Sequence, residues 1–212
     1  MIYILLPCFN EYENLNILIK KINNLSLNNN YIFKLIIVND GSTDQTNSNI
    51  NKLKKKSKNN IIYINHKKKL GIEYVNVFRF YKIFKSCKKN DIIVTLDSDN
   101  THPISLIPKL IKPIKENKCD IVIASRFQKG SSIKGLSLFR KILSEGARSI
   151  FKLMLSIENI EDYTCNFRSY SYSILKKSNL IKKDFFLKKD FSIIADLLIN
   201  VCKKSSNVKI KE

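Results

Sequence analysis

The chain has 212 residues, enough for one domain with a sizeable core, and its 44% hydrophobic and 10% aromatic content excludes a disordered polymer. No apolar run approaches the roughly 18–20 residues that a membrane-spanning helix needs. The opening MIYILLPCFNEYEN has no basic leader and meets Glu11 early, so it reads as a first strand and sets a cytoplasmic location as the expectation.

A formal charge of +20, from 38 Lys and Arg against 18 Asp and Glu, draws such a chain toward nucleic acid, anionic lipid or phosphorylated small molecules. The basic runs are short, at Lys54-Lys55-Lys56-Ser57-Lys58, Lys67-Lys68-Lys69 and Lys188-Lys189, and read as solvated surface. The five cysteines are odd in number, scattered and never spaced C-x-x-C, which argues against a disulfide framework and a zinc site.

In chain order, residues 2–7 (IYILLP) form a short apolar run, suited to a buried strand. Leu15, Leu18, Ile19, Ile22 and Leu25 then recur at helical spacing. Residues 32–38 (IFKLIIV) are a second buried strand. The NDGSTD that follows, 39–44, is turn chemistry, with Gly41 free to take positive φ and Ser42 or Thr43 placed to cap the next helix. Residues 61–64 give a third strand, 71–86 a helix and 92–96 a fourth strand. Ile104, Ile107, Leu110, Ile111 and Ile114 mark another helix, and 120–124 a further strand. Beyond residue 125 the pattern loosens into a loop over 128–135. A helix over 138–155 follows, with Phe139, Leu143, Ala147, Ile150 and Met154 on one side and Arg140, Lys141, Arg148 and Lys152 flanking it. A last helix runs through Phe191, Ile194, Leu197, Leu198 and Val201. Strands that alternate with helices and read as continuous apolar runs predict an α/β protein with a mostly parallel central sheet flanked by helices. The expected organisation is one domain over 1–212, with a nucleotide-binding part over about 1–125 and an acceptor-side part over about 126–212.

Ligands in such sheets bind beyond the carboxyl ends of the strands, which sends PCFNE, NDGSTD and LDSDN to one crevice. Asp97 and Asp99 share a face of an extended segment, and a divalent cation with hard oxygen preference relieves their repulsion. Mg²⁺ or Mn²⁺ held this way keeps positions for substrate phosphates. An isolated D-x-D is more often a solvated turn, and the strand-end placement is what favours a ligand set here. Glu11 either accepts hydrogen bonds from a nucleobase or ribose or favours the positive end of the helix it opens. Asp40 has the same double reading. Arg126 suits phosphate oxygens, and Asp162 and Arg168 stand in a segment where a structural salt bridge is the competing account. His66 and His102 are too isolated for a metal pair, and His102 reads as a helix-start residue.

Together these residues resemble the inverting family-two glycosyltransferases of the GT-A fold, in the polyprenyl (dolichyl) phosphate mannosyltransferase or glucosyltransferase branch. Pro7, Phe9, Asn10, Glu11, Glu13, Asn14 and Leu15 match its first motif, with Phe9 in place of tyrosine. Asp40, Gly41, Ser42, Asp44 and Thr46 match the second, with Asn39 where a first Asp is common, and Leu70-Gly71 resembles its leucine-glycine. Asp97, Asp99, His102 and Pro103 match D-A-D-x-x-H-P, with Ser98 for alanine. Ser125-Arg126-Phe127 matches S-R-Y/F, and Arg140 with Ser144 matches R-x-x-x-S. Asp162, Thr164, Cys165, Phe167, Arg168 and Tyr170 match the last element, with Asn166 replacing a glycine as a residue that also visits the left-handed region.

By that likeness Pro7, Phe9, Glu11, Val38 and Asp40 would line the nucleotide pocket. Asp97 and Asp99 would hold the metal and diphosphate beside Ser98, and Arg126 would meet the sugar-phosphate part. Asp97, Asp99 and Arg126 are thus the expected catalytic set, with Mg²⁺ or Mn²⁺ as cofactor. The implied donor is GDP-mannose or UDP-glucose, the acceptor a polyprenyl phosphate, and the outcome inversion at the sugar. The helix over 138–155 would lie against an anionic membrane at its cytoplasmic face, or simply face the core. Similar proteins continue past the segment that resembles NVKIKE, so the chain is expected to be short relative to the family. Rival readings are a transferase acting on a sugar hydroxyl, for which Asp196 would be the base, and a silent subunit that binds nucleotide sugar. Nucleic-acid binding ranks low, because acidic side chains crowd the expected crevice.

Overall fold

The computed structural model describes residues 1–71, 75, 86–128, 146, 148–149, 152–153, 157, 160–177, 193–205 and 208–212. The chain begins with β1 (Ile2–Cys8), α1 (Tyr12–Asn29), β2 (Phe33–Asn39), α2 (Thr46–Lys56) and β3 (Asn60–Asn65). It continues through β4 (Ile92–Thr95), a 3₁₀ turn (Ile104–Leu106), α3 (Ile107–Lys115) and β5 (Ile121–Ile123). β6 (Arg168–Ser171), α4 (Tyr172–Lys177), α5 (Ile193–Lys204) and β7 (Ile210–Lys211) complete the described elements.

One seven-stranded sheet carries them in the order β3-β2-β1-β4-β6-β5-β7. The pairs β3–β2, β2–β1, β1–β4 and β5–β7 are parallel, and β6 runs antiparallel to both of its neighbours. This is the α/β class with a mostly parallel sheet that the alternation predicts.

The centre of the sheet is apolar on both faces, as strands covered on both sides require. Every residue of β1 is buried, and Leu35, Ile37 and Val38 of β2 are fully so. Helix α1 forms because its apolar side chains recur at three and four. It lays Leu15, Leu18, Ile19 and Ile22 on the sheet and ends where Asn30 turns left-handed at φ 52°. Helix α3 does the same with Ile107, Leu110, Ile111 and Ile114. Each such side chain, fully buried, stabilises the fold by about 1.5–3 kcal/mol relative to exposure.

Strand β6 is the element that local pattern misses. RSYS is short and polar, yet it inserts between β4 and β5 in the register Ile92↔Ser171 to Thr95↔Arg168. The Arg168 side chain is wholly buried there. It donates to the carbonyls of Tyr163, Asp162 and Ile194 at 2.7, 3.2 and 3.1 Å.

Of the helix expected over 71–86, Val75 is helical and fully buried, and residues 72–74 and 76–85 lie outside the described residues. So do nearly all of the loop over 128–135 and the apolar side of the helix over 138–155. Among the described residues no helix is long and apolar enough to cross a membrane.

Candidate active site

The parallel run of β1, β2 and β4 puts the loops after Cys8, Asn39 and Thr95 at one end of the sheet. The first two loops are laced together. Asn10 stands at φ 56°, donates its N–H to Ser42 Oγ at 2.8 Å and accepts from Thr43 N at 2.8 Å. Asp44 accepts from Tyr12 N at 3.2 Å and from Thr46 N at 2.9 Å. Burial pushes the Asp44 carboxyl up, but hydrogen bonds from Thr46 and from the Tyr12 amide outweigh it and hold the group below the usual carboxylate range. Ser42 and Thr43 therefore do not cap α2, which starts after Gln45 without a side-chain cap. They join the β1 loop to the β2 loop instead.

Asn39, where the resemblance has an aspartate, needs its amide. It donates to Tyr63 Oη at 2.8 Å and to Asn65 Oδ1 at 2.7 Å, and accepts from Ser42. A carboxylate there would have no proton for either bond.

Asp40 is 3% exposed and ties down the segment after β3. It accepts from Leu70 N at 2.8 Å and Gly71 N at 2.9 Å, with His66 Nδ1 3.5 Å away. That segment passes so close to Gly41, at φ 71°, that a Cβ would meet the Lys68 carbonyl carbon at 2.6 Å and Lys69 N at 2.8 Å. Gly41→Ala therefore combines left-handed strain with a backbone clash. It is expected to destabilise the protein by about 2 kcal/mol, read as a lowered urea midpoint; an unchanged midpoint would mean that the loop yields freely. The same segment carries Lys69, whose Nζ lies 4.1 Å from the centroid of the Phe9 ring.

The loop after β4 carries the paired carboxylates. Ser98 is buried and donates to the Pro7 carbonyl at 2.6 Å, which pins the loop to β1. Asp99 Oδ1 accepts from Thr101 N at 3.0 Å and Thr101 Oγ1 at 2.7 Å. Asp97 Oδ1 accepts from Asn166 Nδ2 at 2.7 Å, and Asp97 Oδ2 lies 3.1 Å from His102 Nε2. Asn166 is not at positive φ. Its side chain orients Asp97, so it is there for its amide and not for left-handed freedom. His102, beyond opening the next turn, packs its ring 5.1 Å from that of Phe167.

These loops enclose a cavity of about 370 Å³ lined by Pro7, Cys8, Phe9, Glu11, Asp40, Lys69, Val75, Asp97, Ser98 and Asp99. Sequence reasoning gathers Pro7, Phe9, Glu11, Asp40, Asp97, Ser98 and Asp99, and the fold brings all of them to this one place. It misses Lys69, Asn166 and His102. Val38 does not line the cavity: it is fully buried within β2.

The sequence matches the glycosyl transferase family 2 model over residues 3–181. The chain belongs to that family.

This family 2 chain is 32% identical over 165 residues to a dolichol-phosphate mannosyltransferase from Pyrococcus furiosus, covering 77% of its own length and 44% of the relative's. It is 28% identical over 187 residues to a UDP-N-acetylglucosamine–dolichyl-phosphate N-acetylglucosaminyltransferase from Methanococcus voltae, covering 83% and 71%. The chain thus spans less than half of the Pyrococcus relative. Its fold is similar to that of glucosyl-3-phosphoglycerate synthase from Mycobacterium tuberculosis, solved with Mn²⁺, UDP and phosphoglyceric acid. That likeness has a TM-score of 0.65 at 15% identity and covers 100% of this chain and 67% of that one. Mannosyl-3-phosphoglycerate synthase from Rubrobacter xylanophilus gives 0.57 at 12% identity, covering 84% and 55%. At these identities the likeness bears on the fold, which is GT-A.

In the family 2 chain Arg126 stands outside the cavity lining. Its Nε and Nη2 each meet an Asp162 oxygen at 2.8 Å, its Nη2 also reaches Thr164 Oγ1 at 2.7 Å, and its N–H adds a third donor to Asp162. Asp162 pairs with Arg126 and not with Arg168, which holds only carbonyls among the described residues. Burial raises the Asp162 carboxyl, and the guanidinium with the Arg126 and Cys165 amides more than reverses this. Arg148 and Lys152 both meet Glu161, at 2.6 and 2.7 Å, and Asp196 on α5 is no part of the cavity. The cysteines are unpaired, and burial pushes the Cys8 thiol up to about 12 and the Cys165 thiol to about 11, which makes them poor nucleophiles.

The donor set fits a hard divalent cation in one particular way. Among the described residues no group of three or more His, Cys, Asp and Glu could cage a metal. Asp97 and Asp99 offer carboxylate oxygens at the cavity wall, and Asp99 Oδ2 is unengaged among the described residues. A cation that takes one or two carboxylates and completes its shell with water and substrate phosphate matches such a pair, whereas one that needs an all-protein cage does not.

Proposed function

We propose that this domain transfers a hexose, mannose or glucose, from a nucleoside diphosphate sugar to a polyprenyl phosphate with inversion at the anomeric carbon. The observation that carries the reading is that Asp97 and Asp99 line the same cavity as Phe9, Glu11 and Asp40. A diphosphate site and a nucleoside site are thus adjacent. The names of the Pyrococcus and Methanococcus relatives support a dolichyl phosphate acceptor, and the mycobacterial neighbour crystallised with Mn²⁺ and UDP supports the donor class.

Phe9 offers its ring to the base, while Pro7, Glu11 and Asp40 shape and polarise the base and ribose side. Asp97 and Asp99 would hold Mg²⁺ or Mn²⁺ at the cavity wall. When bound, that cation offsets the charge that develops on the leaving group. Asn166 and His102 fix the Asp97 oxygens, and Ser98 anchors the loop to β1, so the carboxylates need not reorganise during the reaction. Arg126, which Asp162 and Thr164 hold outside the cavity lining, would meet the sugar-phosphate part, as the family resemblance implies. An acceptor phosphate oxygen forms the new bond to the anomeric carbon as the bond to the diphosphate breaks, and the nucleoside diphosphate departs. Because that oxygen is already anionic, no strong general base is required. A lipid-linked acceptor brings the protein to a membrane surface, which fits its net charge of +20.

The test is mass spectrometry of products after the protein is offered GDP-mannose, UDP-glucose and related donors with polyprenyl phosphate and Mg²⁺ or Mn²⁺. A hexosyl phosphoprenol that forms with one donor and disappears with chelator is expected. Sugar transfer confined to a hydroxyl acceptor, or no transfer from any donor, would overturn the reading.

A further inference from the structure

We infer that Lys69 and the donor's base compete for one face of Phe9, so that nucleotide binding moves Lys69 from the ring onto the donor's diphosphate. The inference rests on the nucleotide-sugar reading above and assigns a donor-binding role to a side chain that sequence reasoning leaves to the solvent.

Three observations converge. Lys69 Nζ sits 4.1 Å from the Phe9 ring centroid, and both residues line the cavity. A base stacked on that face cannot share it with the ammonium. Second, among the described residues the lining carries four carboxylates, Glu11, Asp40, Asp97 and Asp99, and Lys69 is its one basic side chain. A diphosphate entering so acidic a crevice needs positive charge close by, and among the described residues Lys69 is the cation that borders the space. Third, the backbone around Lys69 is fixed although its side chain is exposed. The Asp40 carboxylate holds the next two amides, of Leu70 and Gly71, and Gly41 is bare so that Lys68 and Lys69 can pass against it. A long, flexible side chain on an anchored segment can swing without the loop having to move. A cation–π contact at an exposed site is weak enough to exchange for a contact with phosphate. Asp40, by this account, acts as a positioning residue through Lys69.

Calorimetry on the whole protein with UDP, GDP, uridine and guanosine, in Mn²⁺ and again in EDTA, separates the roles. Lys69→Met is expected to weaken the tighter-binding nucleoside diphosphate by about tenfold, to leave its nucleoside unweakened or slightly tighter, and to keep the circular dichroism spectrum. Lys69→Arg should restore most of the diphosphate affinity. If Lys69→Met leaves diphosphate affinity unchanged, or weakens nucleoside and diphosphate equally, Lys69 merely shapes the pocket and the inference fails. If the unaltered protein binds neither diphosphate, the nucleotide-sugar reading itself falls, and this one with it.

Discussion

Asp99→Asn is expected to lower sugar transfer by about 10²–10³-fold while leaving the fold untouched. The two halves of that expectation have separate sources. Asp99 is exposed, and its Oδ1 is engaged only by Thr101. An asparagine oxygen accepts those same two bonds, so stability has no reason to change. What the substitution removes is the negative charge that would hold a divalent cation against the diphosphate, and with it the compensation for charge on the leaving group. Asp97→Asn is the less clean probe. Asp97 is clasped by Asn166 on one oxygen and His102 on the other, and an amide there must turn one of its ends to the wrong partner. The measurement is product formation by Asp99→Asn at saturating donor over a Mn²⁺ titration, beside a thermal melt. Turnover within twofold of the unaltered protein would remove Asp99 from the ligand set.

The second large effect is on stability. Asp162 is wholly buried as a side chain and accepts from Arg126 three times, and from Thr164 N and Cys165 N. Asp162→Ala leaves that guanidinium and those amides without their acceptor. The expected cost is about 3 kcal/mol, at the lower end for a broken buried pair because the Arg126 side chain is 32% exposed and can be partly rehydrated. The pH dependence has a definite sign. The folded carboxyl is held below its ordinary value. Its contribution is therefore fully present above the unfolded value of about 3.9 and is lost as pH falls through the lower, folded value. Urea unfolding at pH 7 and pH 3 should show the difference between Asp162→Ala and the parent shrinking on acidification. An equal difference at both pH values would mean that the carboxylate's charge contributes nothing.

Much of this architecture is legible without coordinates, because it is built from signals that are local. IYILLP and IFKLIIV are continuous apolar runs, and a strand covered on both faces can be little else. Their ends carry the polar loops, so a parallel arrangement already implies the crevice that holds Glu11, Asp40 and Asp97. Strand β6 is not legible in that way. Ser169 and Tyr170 are buried because they lie between β4 and β5, a pairing across a long sequence gap that leaves no periodicity in four residues. Lys69 is hidden for the opposite reason. It belongs to a run of lysines, and such runs usually face water. Only its neighbour's amide on Asp40 and the Phe9 ring beneath it set it apart. Val38, which the likeness would place in the nucleotide pocket, is buried in β2 and is not among the described residues that line the cavity. Asn166 fills a family glycine's place for a reason no backbone preference would suggest, since what it contributes is a donor to Asp97.

The antiparallel insertion of β6 also sets an order of assembly. Strands β1 to β4 are complete by residue 95, so during synthesis they can pair before β6 has emerged. The acidic loop cannot be completed so early. Thr95 Oγ1 donates to the Asn166 carbonyl at 2.6 Å across 71 residues of sequence, and Asn166 in turn steadies Asp97 across 69. Neither contact can form until residue 166 has been made. The side of the crevice built by Phe9, Glu11 and Asp40 is therefore in place before Asp97 acquires its final aim, and under the proposed function a nascent chain would be able to bind a nucleoside before it could orient the diphosphate.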